Sequence, residues 1–281
     1  MVSYKHLKIE DKGNLIICYL SNPPTHTLTA LGLVEIHNFL DSLVGNKELR
    51  VLAFTGVGED VFIRHYEVGE LADAAEKNIR VEKEGKKSDK ELNKELHGFH
   101  KMLLKIRDLD AIVIAGINGN TAGGGCEFSL GCDLRVMSSG DYFIGLPETN
   151  IGILPGGGGT QRLARLIGTS RALDLIVHGQ LISNTKAYEY GIINKILPKE
   201  SFFDSLEEYC QNLANRAPIA LREVKRVINK GMDLPLEEAL FHEQQAFNKT
   251  MNSKDAASAM RTMMDTNEEI NIISKLDWSG D

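Results

Sequence analysis

The sequence predicts an α/β fold, strands alternating with helices, that ends in a wholly helical region. Three observations predict it. Short apolar runs bounded by turn residues recur at 15–20 (LIICYL), 50–55 (RVLAFT) and 111–115 (AIVIA), and runs of that length read as buried strands. Between the first two, Leu33, Ile36, Leu40 and Leu43 fall at helical spacing, which gives an amphipathic helix. Beyond Pro198, segments 202–216, 220–230 and 236–251 carry apolar stripes punctuated by Pro218 and Pro235, a helical pattern throughout.

Taken in order, the first strand stops at Ser21-Asn22-Pro23-Pro24, because prolines cannot continue a ladder. Thr25-His26-Thr27-Leu28 leads into the helix, and the second strand ends at Gly56 and Gly58. From 76 to 101 the chain is dense in Lys and Glu and predicts a solvated helix or mobile loop, with Leu92, Leu96, Phe99 and Leu103 making its second half amphipathic. The stretch EGKKS at 84–88 lacks the glycine offset of a P-loop, and no glycine cluster completes the dinucleotide fingerprint. Segment 168–196 reads as helix, turn, helix and strand, with Ser183 placed as an N-cap.

The stretch 114–163 holds the chemistry. After the strand at 111–115 come Asn118-Gly119-Asn120, Gly123-Gly124-Gly125 and then Cys126-Glu127-Phe128-Ser129-Leu130, the first turns of a helix. Helix-initial N–H groups lack internal partners, and glycines keep Cβ atoms out of a ligand's way. That combination suits an oxyanion, and Glu127 lies within a turn of it. The pattern then repeats: a strand at 134–137, Pro147-Glu148, Pro155, the glycines Gly156 to Gly159, and a helix start at Thr160-Gln161-Arg162-Leu163. Spacing leaves two readings open. Either two carboxylates and two donor sites converge on one pocket, or the glycines make tight turns and both glutamates are solvated surface acids.

Composition excludes several classes. With 42% hydrophobic and 25% charged residues over 281 positions, the chain is an ordinary soluble globule with a full core, as one large domain or one domain with an appendage. Its net charge of -7 argues against the basic face that nucleic acid requires, although local charge decides for a small anionic ligand. Cys18, Cys126, Cys132 and Cys210 are scattered without zinc spacing, so no metal is expected and a reduced compartment is the simplest reading. No apolar run approaches the roughly 18 residues of a membrane span. The start MVSYKHLKIEDKGN has no signal-peptide core and the end SGD no peroxisomal address, so a cytoplasmic location is expected.

The ordered set Ala115-Gly116-Ile117-Asn118-Gly119, Gly123-Gly124-Gly125-Cys126-Glu127, Cys132-Asp133, Pro147-Glu148, Gly152, Pro155-Gly156 and Gly158-Gly159-Thr160-Gln161-Arg162-Leu163 resembles the signature of the enoyl-CoA hydratase/isomerase family, the crotonase superfamily. The resemblance extends more weakly over most of the chain, and Asp277-Trp278-Ser279-Gly280 is loosely similar to the family's ending. It implies a spiral of repeated ββα turns over residues 1–200 and a C-terminal α-helical oligomerisation region over 201–281. The implied reaction is syn addition of water to a 2-enoyl-CoA, with Glu127 as base and Glu148 as acid. The implied oxyanion donors are the backbones of Tyr66 and Gly124, with Gly156 supporting the water. His26, Leu28, Arg64, His65, Glu67 and Val68 complete the candidate substrate-binding set.

One departure from the family pattern is large: Arg64, His65 and Tyr66 stand where small residues are usual. A backbone donor survives any side chain, so the departure bears on pocket shape. No cofactor is implied, since coenzyme A is part of the acyl-CoA substrate. A homotrimer or homohexamer is implied, with Lys225 or Lys230 reaching a CoA phosphate. Both glutamates favour a hydratase over an isomerase, retro-aldol lyase or hydrolase of the same family, or a non-enzymatic CoA-binding scaffold.

Overall fold

The structure is a computed structural model that describes residues 4–84, 95–266, 276 and 278–281. Leu92, most of the EGKKS stretch and Asp277 lie outside the described residues. Strands β1 (Leu7–Asp11) and β2 (Leu15–Leu20) pair antiparallel. From residue 51 to 145 the strands alternate between two sheets. β3 (Val51–Gly56), β5 (Ile112–Ile117), β7 (Leu134–Ser138) and β10 (Lys195–Leu197) join β2 in a six-stranded sheet ordered β1-β2-β3-β5-β7-β10, parallel from β2 onward. β4 (Asp60–Val61), β6 (Gly119–Ala122), β8 (Phe143–Gly145) and β9 (Leu181–Ser183) form a second sheet in that order.

The coils that start at β3, β5 and β7 therefore run strand, step, short strand, helix. The helices that follow are α1 (Ala30–Leu43), α2 (Val68–Lys83), α3 (Gly98–Asp108) and α4 (Gly124–Gly131). Then come α5 (Gly159–Ile167), α6 (Thr169–Val177) and α7 (Asn184–Glu189). The chain closes with α8 (Phe202–Ala214), α9 (Pro218–Gly231), α10 (Leu236–Met251) and α11 (Lys254–Thr266). This is a mixed α/β spiral, as the resemblance implied. At one step of the spiral Asn118 pins the turn of the preceding coil: its Oδ1 accepts from Gly56 N at 2.9 Å and its Nδ2 donates to Val61 O at 3.0 Å.

Alternation along the strands explains why they read as unbroken apolar runs. Ile16, Cys18, Leu52, Phe54, Val113 and Ala115 pack in the core with α1 and α3, whereas Leu15, Ile17, Val51, Ala53, Ile114 and Val136 pack against Leu206, Cys210 and Ala214 of α8. Successive side chains point to opposite faces, and a parallel sheet covered on both faces needs apolar residues at every position.

The apolar stripes after residue 200 meet different fates. Leu206 is buried on the sheet, with Tyr209 and Leu213 packed beside it. Leu236, Leu240 and Phe247 of α10 remain 74%, 51% and 61% exposed. α9 is fastened by Lys225, whose Nζ pairs with Asp133 Oδ2 at 2.7 Å and donates to the carbonyls of Ile106 and Ala111 at 2.9 and 2.8 Å. An ammonium has three donors, and all three are engaged in the interior. The expectation that Lys225 reaches a phosphate is thereby corrected: it is a buried staple. Lys230 lies on the exposed surface, 3.4 Å from His242 Nδ1. Among the described residues no helix is long and apolar enough to cross a membrane.

Lys225→Met leaves Asp133, its side chain 15% exposed, without its cation and should cost about 3 kcal/mol of unfolding free energy. Lys230→Met should stay within about 0.5 kcal/mol of the parent. Urea unfolding compares them; equal midpoints for the two variants would contradict the staple.

Candidate active site

The first glycine cluster ends β6 and opens α4, so its N–H groups stand at a helix start. Gly124 is the first residue of α4. A Cβ there would lie 2.8 Å from Tyr66 Cβ and 3.1 Å from Tyr66 N, so only glycine permits this approach. The positive φ of the turn falls one residue earlier, at Gly123 (+50°). Tyr66 is held by a parallel bridge to Leu28: Leu28 N donates to His65 O at 2.9 Å and Glu67 N donates to Leu28 O at 2.8 Å. In such a bridge the central residue's own N–H points away from its partner strand. The N–H of Tyr66 is thus directed to the side where Gly124 lies, and Gly124's helix-initial N–H is free of intrahelical bonding.

Glu127 occupies the first turn of the same helix and is only 4% exposed. Its Oε1 accepts from the N–H groups of Gly157 and Gly159 at 2.7 and 2.8 Å. Hence the second glycine cluster is the cradle of the first cluster's glutamate. A Cβ on Gly157 would stand 2.6 Å from Glu127 Oε2 and would close the cradle. Burial raises the Glu127 pKa, while the N–H donors of Gly159 and Gly157 and the charge of Arg162 oppose the rise.

Glu148 begins a 3-10 turn, Glu148–Ile151, and is 9% exposed. Its Oε2 is buried with no hydrogen-bond partner among the described residues. Burial pushes its pKa up to about 7, and the nearby Glu127 charge adds to the rise. Cys126, buried next to Glu127 in the chain, feels both carboxylates, although burial is the main reason its thiol is pushed up. The two glutamates are therefore neighbours in one buried site, which removes the reading of solvated surface acids. They differ in hold: Glu127 is gripped by two amides, and Glu148 has a free oxygen.

The remaining candidates are spread around this centre. His26, half-buried, adopts φ +52° with its ring over Gly58, and its carbonyl accepts from Arg64 N at 2.9 Å. Leu28 is buried, and Arg64 and Val68 are exposed. His65 Nδ1 lies 2.8 Å from Tyr66 O. The Tyr66 hydroxyl donates to Glu70 Oε2 at 2.7 Å; burial first, then Glu70, pushes the phenol well up. Glu67 caps α2 and accepts from Thr27 Oγ1 at 2.8 Å, which holds its carboxyl below the usual range. Gly156 is exposed, and its carbonyl lies 3.0 Å from His97 Nε2.

Sequence reasoning missed two features. The grip of Gly157 and Gly159 on Glu127 spans 30 and 32 residues, beyond any local spacing rule. His97 and His100, stacked with ring centroids 3.9 Å apart, were hidden in the Lys- and Glu-rich stretch. Among the described residues no group of side chains is suited to hold a metal ion.

A carboxyl raised by burial keeps a proton in the folded protein that the unfolded chain releases. The stability tied to protonated Glu148 is full below pH 4.5 and is lost as pH rises through about 7. Glu148→Gln should therefore match the parent near pH 4 and exceed it near pH 8 by up to about 3 kcal/mol. Thermal unfolding across that range reads the difference; a variant less stable at pH 8 would contradict the burial argument.

Three comparisons bear on this site. The family model described as enoyl-CoA hydratase/isomerase matches residues 10–269. The chain is 31% identical over 258 residues to a short-chain-enoyl-CoA hydratase of Clostridium acetobutylicum, covering 92% of this chain and 94% of that one. It is 26% identical over 276 residues to a crotonyl-CoA hydratase of Syntrophomonas wolfei, covering 98% and 100%. Among solved structures, an enoyl-CoA hydratase from Bacillus anthracis superposes with a TM-score of 0.84 at 28% identity, covering 99% of this chain and 100% of that one.

Proposed function

The chain belongs to the enoyl-CoA hydratase/isomerase family, and from that premise we propose that it adds water syn across the double bond of a 2-enoyl-CoA thioester. The observation that carries this reading is the buried pair of unequally held carboxylates, Glu127 on two amide donors and Glu148 with a raised pKa and a free oxygen. Hydration needs one group that takes a proton from water and another that gives one to carbon. Burial raises both carboxyls, but at Glu127 the N–H donors oppose the rise and favour the ionised form that suits the base. Glu148, raised to about 7 with no such donors on its free oxygen, holds a proton up to near-neutral pH and suits the acid.

The thioester oxygen sits between the N–H groups of Tyr66 and Gly124. As water oxygen bonds to Cβ, its proton passes to Glu127 and the C=C electrons move toward the carbonyl, forming an enolate. Preorganised donors in a dry site stabilise that developing charge. The enolate collapses, Cα takes the proton of Glu148, and the hydroxyacyl thioester results. Glu127 then holds a proton and Glu148 is ionised; solvent exchange restores the pair before the next turnover. The carboxylates titrate together, so apparent pKa values belong to the pair. Arg64, His65 and the Tyr66 ring border the entry to the donors and set acyl preference rather than chemistry.

The exposed apolar face of α10 supports the assembly part of the reading. Leu236, Leu240, Phe241 and Phe247 on one helix favour burial against another subunit, and we read residues 201–281 as the region that packs a homotrimer or homohexamer. Light scattering on the purified chain should give three or six times the protomer mass of 31.1 kDa; a stable, active monomer would contradict it.

A panel of enoyl-CoA thioesters that includes crotonyl-CoA, followed by loss of enoyl absorbance, tests the activity. Glu127→Gln and Glu148→Gln should each lower kcat at least about a hundredfold. The double variant should lose far less than the product of the two, because both act on one water. Gly124→Ala should also fall steeply, since its methyl pushes the Tyr66 backbone out of place. Near-parent hydration by Glu148→Gln would remove it as the proton donor, and multiplicative losses would refute the single shared water.

A further inference from the structure

The amides that grip Glu127 have carbonyls pointing the opposite way, and those carbonyls meet donors of their own. The Gly156–Gly157 peptide gives its N–H to Glu127 Oε1 at 2.7 Å, while its C=O faces His97 Nε2 at 3.0 Å. In the next peptide the C=O of Gly157 accepts from Arg162 Nη1 at 3.3 Å. The Gly158–Gly159 peptide gives its N–H to Oε1 at 2.8 Å, and its C=O accepts the Arg162 backbone N–H at 2.9 Å. The glycine turn is thus held on two sides, with the carboxylate inside and three basic side chains outside: His97, Arg162 and His100, which also bonds the Gly157 backbone. His100 stacks on His97 at an interplanar angle of 28° and fixes how that ring meets the turn.

A peptide whose carbonyl is hydrogen-bonded is more polarised and becomes a stronger N–H donor. It also loses rotational freedom about the flanking glycines, which have no side chain to restrain them. We propose that His97 is a positioning residue for Glu127: through the Gly156–Gly157 peptide it orients and strengthens the N–H that keeps this carboxylate ionised and aimed. Arg162 acts in the same sense through the two following peptides. The role in turnover rests on the reading of Glu127 as the base; the effect on the carboxylate does not.

The groups that face Glu127 are few. Glu148 lies across the site, Cys126 precedes Glu127 on α4, and Arg162 approaches from α5. His97 and His100 stand behind the turn from the start of α3, and Arg107 adds its charge to the surroundings of Arg162. Of these, only His97 faces the carbonyl of the peptide that makes the shorter bond to Oε1. Its side chain is on the surface, so it can be exchanged without opening the core.

The test uses the full-length protein labelled with carboxyl-13C glutamate, the Glu127 resonance being identified by its loss in Glu127→Gln. His97→Gln keeps an amide N–H near the place of Nε2; His97→Leu keeps bulk and removes the donor. The Glu127 titration midpoint should rise by about half a pH unit in His97→Leu and stay within about 0.2 in His97→Gln. For crotonyl-CoA hydration, kcat should fall about fivefold in the leucine variant at unchanged KM and recover in the glutamine variant. A leucine variant with the parent's midpoint, or a glutamine variant that behaves like leucine, overturns the proposal. If the parent hydrates no enoyl-CoA, the functional reading falls, while the midpoints still decide what His97 does to Glu127.

Discussion

The bond between Glu127 and the amides of Gly157 and Gly159 is the constraint on which the site depends. A carboxylate that is 4% exposed is expensive to ionise unless donors replace the lost water. Two amide N–H groups on one oxygen supply that replacement, and they can do so only because no Cβ stands between the turn and the carboxylate. The same bond ties the start of α4 to the start of α5. It therefore fixes the relation of two coils of the spiral as well as the orientation of one side chain.

The spiral explains how the other parts arrive. β4, β6 and β8 stack in the second sheet, so the segments following each short strand emerge side by side. Tyr66 follows the first, Gly124 the second and Glu148 the third. A backbone donor pair and a carboxyl pair are thereby brought together from three coils, with little demand on side-chain identity at Tyr66. The sheet beneath is rigid because both of its faces are packed, one by α1 and α3 and the other by α8. In the proposed reaction, preorganisation of this kind is what gives the donors their effect on a developing enolate.

Much of this was legible from residues alone, for physical reasons. The central strands announced themselves because double burial makes nearly every position apolar, as in LIICYL and the VLAF of RVLAFT. The glycine clusters marked the two helix starts, read near Cys126 and Thr160 and found at Gly124 and Gly159. Spacing left Glu127 and Glu148 open between a shared pocket and the surface, and their roles came from the family resemblance. The second sheet was not legible, since strands as short as Asp60–Val61 and Phe143–Gly145 are too brief to show a period of two. β1 has only one fully buried position in five, and α11 presents a mostly exposed face, so neither carried an apolar signal. Lys225 read as a surface cation in a helical stretch; its burial depends on Asp133, 92 residues earlier, which no local pattern reports.

The central claim is that the water held between the two glutamates gives its proton to Glu127 and its oxygen to Cβ, while Glu148 protonates Cα on the same face of the double bond. Hydration of crotonyl-CoA in D2O measures this directly, with the relative configuration at Cα and Cβ of the product read from its proton coupling. The account predicts a single diastereomer in which deuterium at Cα and oxygen at Cβ are syn. An anti product, or a mixture of the two, would contradict it.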